Sequence, residues 1–414
     1  MPRAATGYRP LLRIPGAAAF FLTAAVGRVG IAMTGLGLVW LLHARTGSYA
    51  TAGLGSAGFA LAEALIGPQL ARLVDRFGQT RVLPCCLVAH GAAIVGVLAS
   101  TTPAAAVVAA TCAGAAVPQL GALSAARWAH LLRGERAAEL PSAFALESLA
   151  NATAFLLGPV LATALGAVGN AALASAIAAA LILGGGAALA AQRRTAPPPS
   201  PTRGFARAGG PPSADAERAH GERSLSLLRP AFLLLALLNL AIGLYFGTMG
   251  VSVTAFAISH DMPGAATPII AAASLSGLLS GWLYGLCRHR TRARRQLVFV
   301  TAYLMGTAVL LPLAPSAFWL GAAAVVTEAA VPPTLVLLNV LTEKAVRPAA
   351  LTQAFTWNNS ASAAGSALAA SLAGRAADTW GASAALAGAP LAGLVLVVLS
   401  LVLHRVKTVA LAGR

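Results

Sequence analysis

The stretch "ARLVDRFGQTR", residues 71–81, lies between two long apolar runs, 49–71 and 82–101. It gathers Asp75 with Arg72, Arg76 and Arg81 in a chain that is only 10% charged. Soluble domains carry about 25% charged residues. An apolar run of ~20 residues can cross the ~30 Å hydrocarbon core as a helix. Inside lipid every backbone polar group must be satisfied within the protein, so such runs are helices. The stretch therefore reads as a polar loop between two membrane helices, and the fold follows from how often that pattern repeats.

It repeats along the whole chain. The 414 residues are 58% hydrophobic, with a mean hydropathy of +0.77. Twelve spans are expected, at about 15–42, 49–71, 82–101, 103–125, 142–167, 170–192, 230–257, 264–286, 296–314, 316–340, 352–374 and 380–403. The first is too long, and too closely followed by others, for a cleaved signal peptide. The alternating ten-residue segments of a membrane barrel do not occur. The fold class is all-α integral membrane.

A net charge of +17 invites a nucleic-acid reading, but its placement excludes one. With the N-terminus in the cytoplasm, 26 of the 29 Lys and Arg fall on the cytoplasmic side. Arg45 and Arg375 fall outside, and Arg28 lies within the first span. This positive-inside pattern puts both termini in the cytoplasm. The four cysteines, Cys85, Cys86, Cys112 and Cys287, lie in or beside apolar spans. They read as small buried hydrophobes rather than a disulfide framework.

One segment breaks the apolar rhythm. Residues 193–227 are rich in Pro, Gly, Ser and charge, a composition that buries too little apolar surface to order itself. They divide the chain into an N-terminal six-span bundle at 1–192, a flexible cytoplasmic linker, and a C-terminal six-span bundle at 228–414. The halves look related. "AAVPQLGAL" at 115–123 matches "AAVPPTLVL" at 329–337, and "SAFALESLANATA" at 142–154 resembles "QAFTWNNSASAAG" at 353–365. A duplicated half is a known plan of secondary transporters, whose sites lie near the midplane between repeats.

On these features the chain resembles the major facilitator superfamily. The family's loop between spans 2 and 3 runs Gly-x-Leu-Ala-Asp-Arg-x-Gly-Arg-Arg, and residues 71–81 supply Asp75, Arg76, Gly78 and Arg81 in register. Ala71, Gln79 and Thr80 depart from it. An exporter motif around Gly-Pro in span 5 is kept as Gly158-Pro159, with Ala154, Ala162 and Thr163 at other small positions. The span-4 arginine of many proton-coupled exporters is absent before Arg127. The resemblance implies two pseudo-symmetric six-helix bundles with spans 3, 6, 9 and 12 packed outside. It also implies that Asp75 latches onto the inner end of span 11, near Ala350–Thr352, while Gly78 permits the tight turn into span 3. The matching loop of the second half, "YGLCRHRTRARR" at 284–295, has no Asp.

Ionisable groups deep in the bilayer cost at least ~2.5–3.5 kcal/mol and need a partner or a wet cavity. Arg28, Glu63, Glu147 and Glu328 lie within expected spans, with the polar residues Gln119, Asn151, Asn239, Asn358 and Asn359. All sit on spans that the resemblance assigns to the cavity. Glu147, Asn151, Ala154 and Gly158 share one helix face, and Asn358, Ser362, Gly365 and Ala369 repeat the spacing. That pattern suggests a close helix seam leading from a polar inner end. Arg28 and Glu63 are at similar depth. They form either a self-neutralising pair or one whose protonation or ligand binding shifts the conformation. Glu328, with no charged partner in its own span, takes up a proton or meets a cationic substrate. Glu147 either contacts the basic rim or functions in transport. Tyr245 and Trp357 read as packing ahead of ligand contacts, and His90 as a hydrogen-bonded core residue.

No phosphate-cradling Gly-x-x-x-x-Gly-Lys-[Ser/Thr] occurs, and no His-Glu-x-x-His or Ser/His/Asp grouping. An enzyme, a cofactor and a metal are not implied. The expectation is a monomeric secondary transporter of the plasma membrane, embedded in the lipid bilayer. It would export a drug-like or metabolite molecule, coupled to protons. Import of a nutrient such as a sugar or organic acid by the same fold is the alternative.

Overall fold

In the computed structural model the described residues are 8–46, 49–167, 171–199, 229–262, 265–287 and 291–406, and every regular element among them is helical. A short α1 (Tyr8–Leu12) leads into α2 (Ala17–Thr46). There follow α3 (Tyr49–Phe77), α4 (Gln79–Ala99), α5 (Pro103–Ala116), α6 (Leu120–Leu131), α7 (Leu140–Ala167) and α8 (Ala171–Ala191). The second half holds α9 (Pro230–Ser259), α10 (Ala266–Leu286), α11 (Ala293–Ala308), α12 (Ala317–Glu328) and α13 (Val331–Ala345). It ends with α14 (Leu351–Trp380), α15 (Ala382–Leu386) and α16 (Gly388–Arg405). The expected linker at 193–227 is described only to residue 199, and the rest of it lies outside the described residues.

Among the described residues, ten helical stretches are long and apolar enough to cross a membrane. The expected spans at 296–314 and 352–374 are helical but are not among the ten. The first is α11, only 16 residues long, and the second is α14, 30 residues long. The apolar character of α14 is diluted by Gln353, Asn358, Asn359, Ser360 and Ser362.

Three expected spans are not single helices: 380–403 falls on α15 and α16, separated at Ala387, and the other two break near proline. Residues 103–125 fall on α5 and α6, separated at Val117–Gln119, and residues 316–340 fall on α12 and α13, separated at Ala329–Ala330. Proline is the cause in both. Pro118, Pro332 and Pro333 carry no N–H for the carbonyl four residues back. Carbonyls released at such a break must find other donors. In the first half, His90 Nδ1 donates to the Ala113 carbonyl at 2.9 Å. In the second, the Ser276 hydroxyl donates to Val325 O at 2.7 Å, the Ser280 hydroxyl to Ala329 O, and Tyr303 to Val326 O at 3.1 Å. Both breaks fall inside the repeated "AAVP" segments.

The chain forms two compact units. One holds Met1–Ala143, Leu149–Arg223 and Pro348–Ser360, and the other holds Phe144–Ser148, Ser224–Arg347 and Ala361–Arg414. Two helices are thus divided between units: α7 gives up Phe144–Ser148, and α14 changes unit after Ser360. The core of the first unit includes Leu38, Leu42, Phe59, Ile94 and Val117. That of the second includes Leu238, Phe256, Leu304, Leu338 and Leu396.

Candidate functional site

The loop at 71–81 is built by one glycine. Gly78 has φ +91°, a conformation that side-chain-bearing residues rarely adopt. Its N–H closes α3 on Val74 O at 2.8 Å, and its carbonyl receives Val82 N at 3.2 Å to open α4. One residue therefore ends one membrane helix and begins the next. Immediately before it, the half-buried Asp75 carboxylate accepts from the Gln353 N–H at 3.0 Å, and Thr352 also hydrogen-bonds it. Those donors lie in the first turn of α14, where N–H groups lack helical partners and the helix dipole favours negative charge. Arg76 and Arg81 are exposed, the Arg76 guanidinium lying 5.0 Å from the centre of the Phe77 ring.

Gln79 and Arg127 add to the sequence reading. Arg127, expected at the inner end of its span, is fully buried. Its Nε donates to Gln79 Oε1 at 2.8 Å. Its Nη1 donates to Gln192 O and Thr195 Oγ1 at 2.9 and 2.8 Å, and its Nη2 to Leu189 O at 2.9 Å. Gln79, buried in turn, donates to Leu123 O at 3.2 Å. A guanidinium presents five N–H donors in a fixed fork, which suits it to several neutral acceptors. It satisfies the last carbonyls of α8 and ties them to the residue that follows Gly78. Arg45, expected outside, does the same for α4, donating to Val97 O at 3.0 Å and to Leu98 O. Arg294 caps α16 by donating to Val406 O at 2.5 Å.

The embedded carboxyls lie beside the helix breaks. On α3, Glu63 Oε1 accepts from Gln119 Nε2 at 3.5 Å, and Gln119 sits in the break before α6. The Gln119 amide crosses Gly67, where a Cβ would stand 3.1 Å from Nε2. Around it, Thr356 approaches Gly67 and the Ser360 hydroxyl donates to Ala64 O at 2.9 Å. In the second unit, Glu328 is the last residue of α12 and accepts from the Tyr245 hydroxyl at 3.2 Å. Tyr245 is fully buried on α9, so its hydroxyl has a structural need for a partner as well as a role toward Glu328.

The other candidates separate. Arg28 is 6% exposed, and its Nε lies 3.8 Å from where a Gly121 Cβ would stand. The only hydrogen bond that Glu63 makes among the described residues is the one from Gln119. Glu147 and Asn358 are buried, whereas Asn359 and Asn151 are exposed. Asn239 is buried but spends its amide on Leu235 O, one turn back in its own helix, at 2.8 Å. The seam expected along α7 has close backbone contact: a Cβ on Gly158 would lie 2.6 Å from the Ala32 Cβ of α2. Pro159 follows within α7. In the second unit, a Cβ on Gly365 of α14 would overlap Leu240 O of α9, and Cβ atoms on Gly243 and Gly247 would overlap Ser362 O and Ser366 O. Such approach is the use of small residues between membrane helices.

These features define a multi-pass, all-helical membrane protein with interrupted helices and polar groups at the interruptions. Residues 20–370 match the family model of the Major Facilitator Superfamily, and the chain belongs to that family. No curated protein matches the chain by sequence. Among solved structures it is similar to the human organic anion transporter MFSD10 (TETRAN), at 17% identity and a TM-score of 0.70, covering 93% of this chain and 98% of that one. It is also similar to a bacterial homologue of the iron transporter ferroportin in an outward-facing state, at 13% identity and a TM-score of 0.71, covering 93% and 99%. The transporter FucP in its outward conformation gives 12% identity and a TM-score of 0.69, covering 96% and 99%. At these identities the likeness is one of fold. The family and the fold are those of transporters rather than enzymes.

Proposed function

We propose that this chain is a twelve-span secondary transporter of the plasma membrane, with two six-helix bundles and both termini cytoplasmic. It moves a small molecule by alternating access as a monomer. The direction we favour is export of a drug-like or metabolite substrate, coupled to protons through the embedded carboxyls. Gly158-Pro159, the remnant of an exporter motif, supports the direction. One observation carries the mechanism. Asp75 holds the first turn of α14, a helix whose remainder belongs to the other unit. In the proposed cycle α14, which continues into the other unit after Ser360, tilts against α3, and this hold within the first unit is released and re-made as it does.

The experiment compares cells with and without the gene in a susceptibility and uptake screen, then reconstitutes the active compound's transport in vesicles. Extrusion supports export, and accumulation supports the import alternative. Glu328→Gln is expected to uncouple flux from an imposed pH gradient. Unchanged coupling removes Glu328 from the mechanism.

A further inference from the structure

The chain that leaves α8 is fastened to the first unit. It turns at once, with the Arg193 N–H donating to Ala191 O at 3.0 Å and the Ala196 N–H to Arg193 O at 3.3 Å. Thr195 is then buried, in a segment whose composition predicts a flexible linker. Its hydroxyl accepts from Arg127 Nη1 at 2.8 Å. Its methyl group fills the open side of Gly16, where a Cβ would stand 2.7 Å from Thr195 Cγ2. Gly16 has φ +83°, so backbone and neighbour alike call for glycine there. Pro197, Pro198 and Pro199 follow. Proline has little freedom to lose, which lowers the cost of ordering a strip that has no secondary structure. The strip ends on the turn between α3 and α4: a Cβ on Gly78 would meet Pro199 Cβ at 3.6 Å.

One side chain joins that strip to the turn. The Arg127 guanidinium donates to Thr195 Oγ1 and Gln192 O through Nη1, and to Gln79 Oε1 through Nε. Gln79 directly follows Gly78, whose N–H closes α3 on Val74, the neighbour of Asp75. Gln79 also stands where the family's loop carries a basic residue. A cation there would face the buried guanidinium, whereas the amide offers it an acceptor. The junction therefore depends on a departure from the family pattern. Contact runs from Thr195 through Arg127 and Gln79 to the turn, and from the turn through Asp75 to the Gln353 N–H. All of these residues belong to the first unit.

We propose that residues 193–199 are a strap: seated between Gly16 and Gly78, they stiffen the α3–α4 turn and slow release of the Asp75 hold on α14. The start of the linker is thereby a control element of the transporter. A pull that lifts the strap frees the turn, and the hold then opens more readily. The purpose of the strap rests on the transporter reading, but its test rests only on the contacts of Thr195, Gln79 and Asp75.

Hydrogen exchange on the purified full-length protein in lipid nanodiscs follows two sets of amides, those of 193–196 and those of 351–356 in the first turns of α14. Thr195→Val keeps the side chain's size and loses the acceptor. Both sets are expected to exchange about tenfold faster than in the unaltered protein. Thr195→Ser keeps the acceptor and should stay near the unaltered protein, whereas Gln79→Arg should behave as Thr195→Val does. A second, reversible test pairs Gly78→Cys with Pro199→Cys in protein whose Cys85, Cys86, Cys112 and Cys287 are replaced by alanine. The 3.6 Å between the two Cβ positions suits a disulfide. The oxidised pair should slow exchange at 351–356, and a reductant should restore it. Unchanged exchange at 351–356 in Thr195→Val overturns the inference, whatever happens at 193–196. So does an equal quickening in α9 of the second unit, which marks a general loss of stability. If the cysteine pair does not fold, the two Thr195 variants still decide. None of these readouts requires transport. A protein with coupled exchange that moves no compound breaks the transport proposal alone, and one that transports with uncoupled exchange breaks this inference alone.

Discussion

The two halves meet the same physical demands with different residues. Each needs a donor fork over the end of its last long helix. The first takes it from Arg127 in α6, the second from Arg294 at the start of α11. Each needs a thin place in the helix that runs beside its opening helix. At the repeat offset of 211, Ala154 and Gly158 stand opposite Gly365 and Ala369, so glycine and alanine have changed places. Each half breaks one membrane helix at a Val-Pro pair and closes the break with a side chain from a neighbour, His90 in one and Ser276 and Ser280 in the other. The difference teaches that backbone hydrogen bonding and helix spacing are held constant, while the residue that serves them is not.

The caps give the largest test of this comparison. Arg127→Met leaves Gln79 Oε1, Leu189 O, Gln192 O and Thr195 Oγ1 without their donor in a dry site. At ~1–3 kcal/mol per stranded group, the loss should reach about 3 kcal/mol or more. Arg294 is half-buried, and Arg294→Met should cost only about 0.3–1 kcal/mol, as for an ordinary cation at a helix C-terminus. Thermal unfolding in detergent checks both. Equal losses would mean that the two caps are equivalent after all.

The seams come next. Gly243→Ala puts a methyl group into the Ser362 carbonyl and should cost about 1–3 kcal/mol by overpacking. Gly35→Ala, inside α2 but facing open space, should be neutral or stabilising by about 0.5–1 kcal/mol. The pair separates contact from helix propensity, and equal melting shifts would remove the seam.

The loops differ most in function and least in stability. Asp75→Asn loses a charge-assisted bond worth ~1.5–3 kcal/mol. Transport should fall about tenfold or more, with normal insertion and amount in the membrane. Full activity breaks the latch. In the second loop, Arg292 stands at the offset of Gly78 with φ −63°, so no left-handed residue stands at that position. Gly78→Ala should cost about 1 kcal/mol, whereas Arg292→Ala should shift the melting temperature by less than the scatter of repeat measurements.

Much of this was legible in the residues and some was not. The apolar spans and the punctuation of residues 71–81 follow from length and charge alone. The contact of Asp75 with the start of α14 lies where the resemblance points. The helix breaks were visible as Pro118 and Pro332–Pro333, yet proline is tolerated in membrane helices, so the spans read as continuous. Arg127 was hidden because a basic residue at a span end is ordinarily a fringe charge. Only the fold brings α8's last carbonyls and Gln79 around it. Gln119 and Glu63 are 56 residues apart, and no local spacing announces their meeting. Asn239 misled for the opposite reason: its polarity is consumed within one turn of its own helix.

The contact of Gly114 with Phe59 carries a consequence for history. If the halves descend from one ancestral segment, the step that let α5 settle onto the main chain of α3 was one-way. Any side chain returning to position 114 meets a carbonyl.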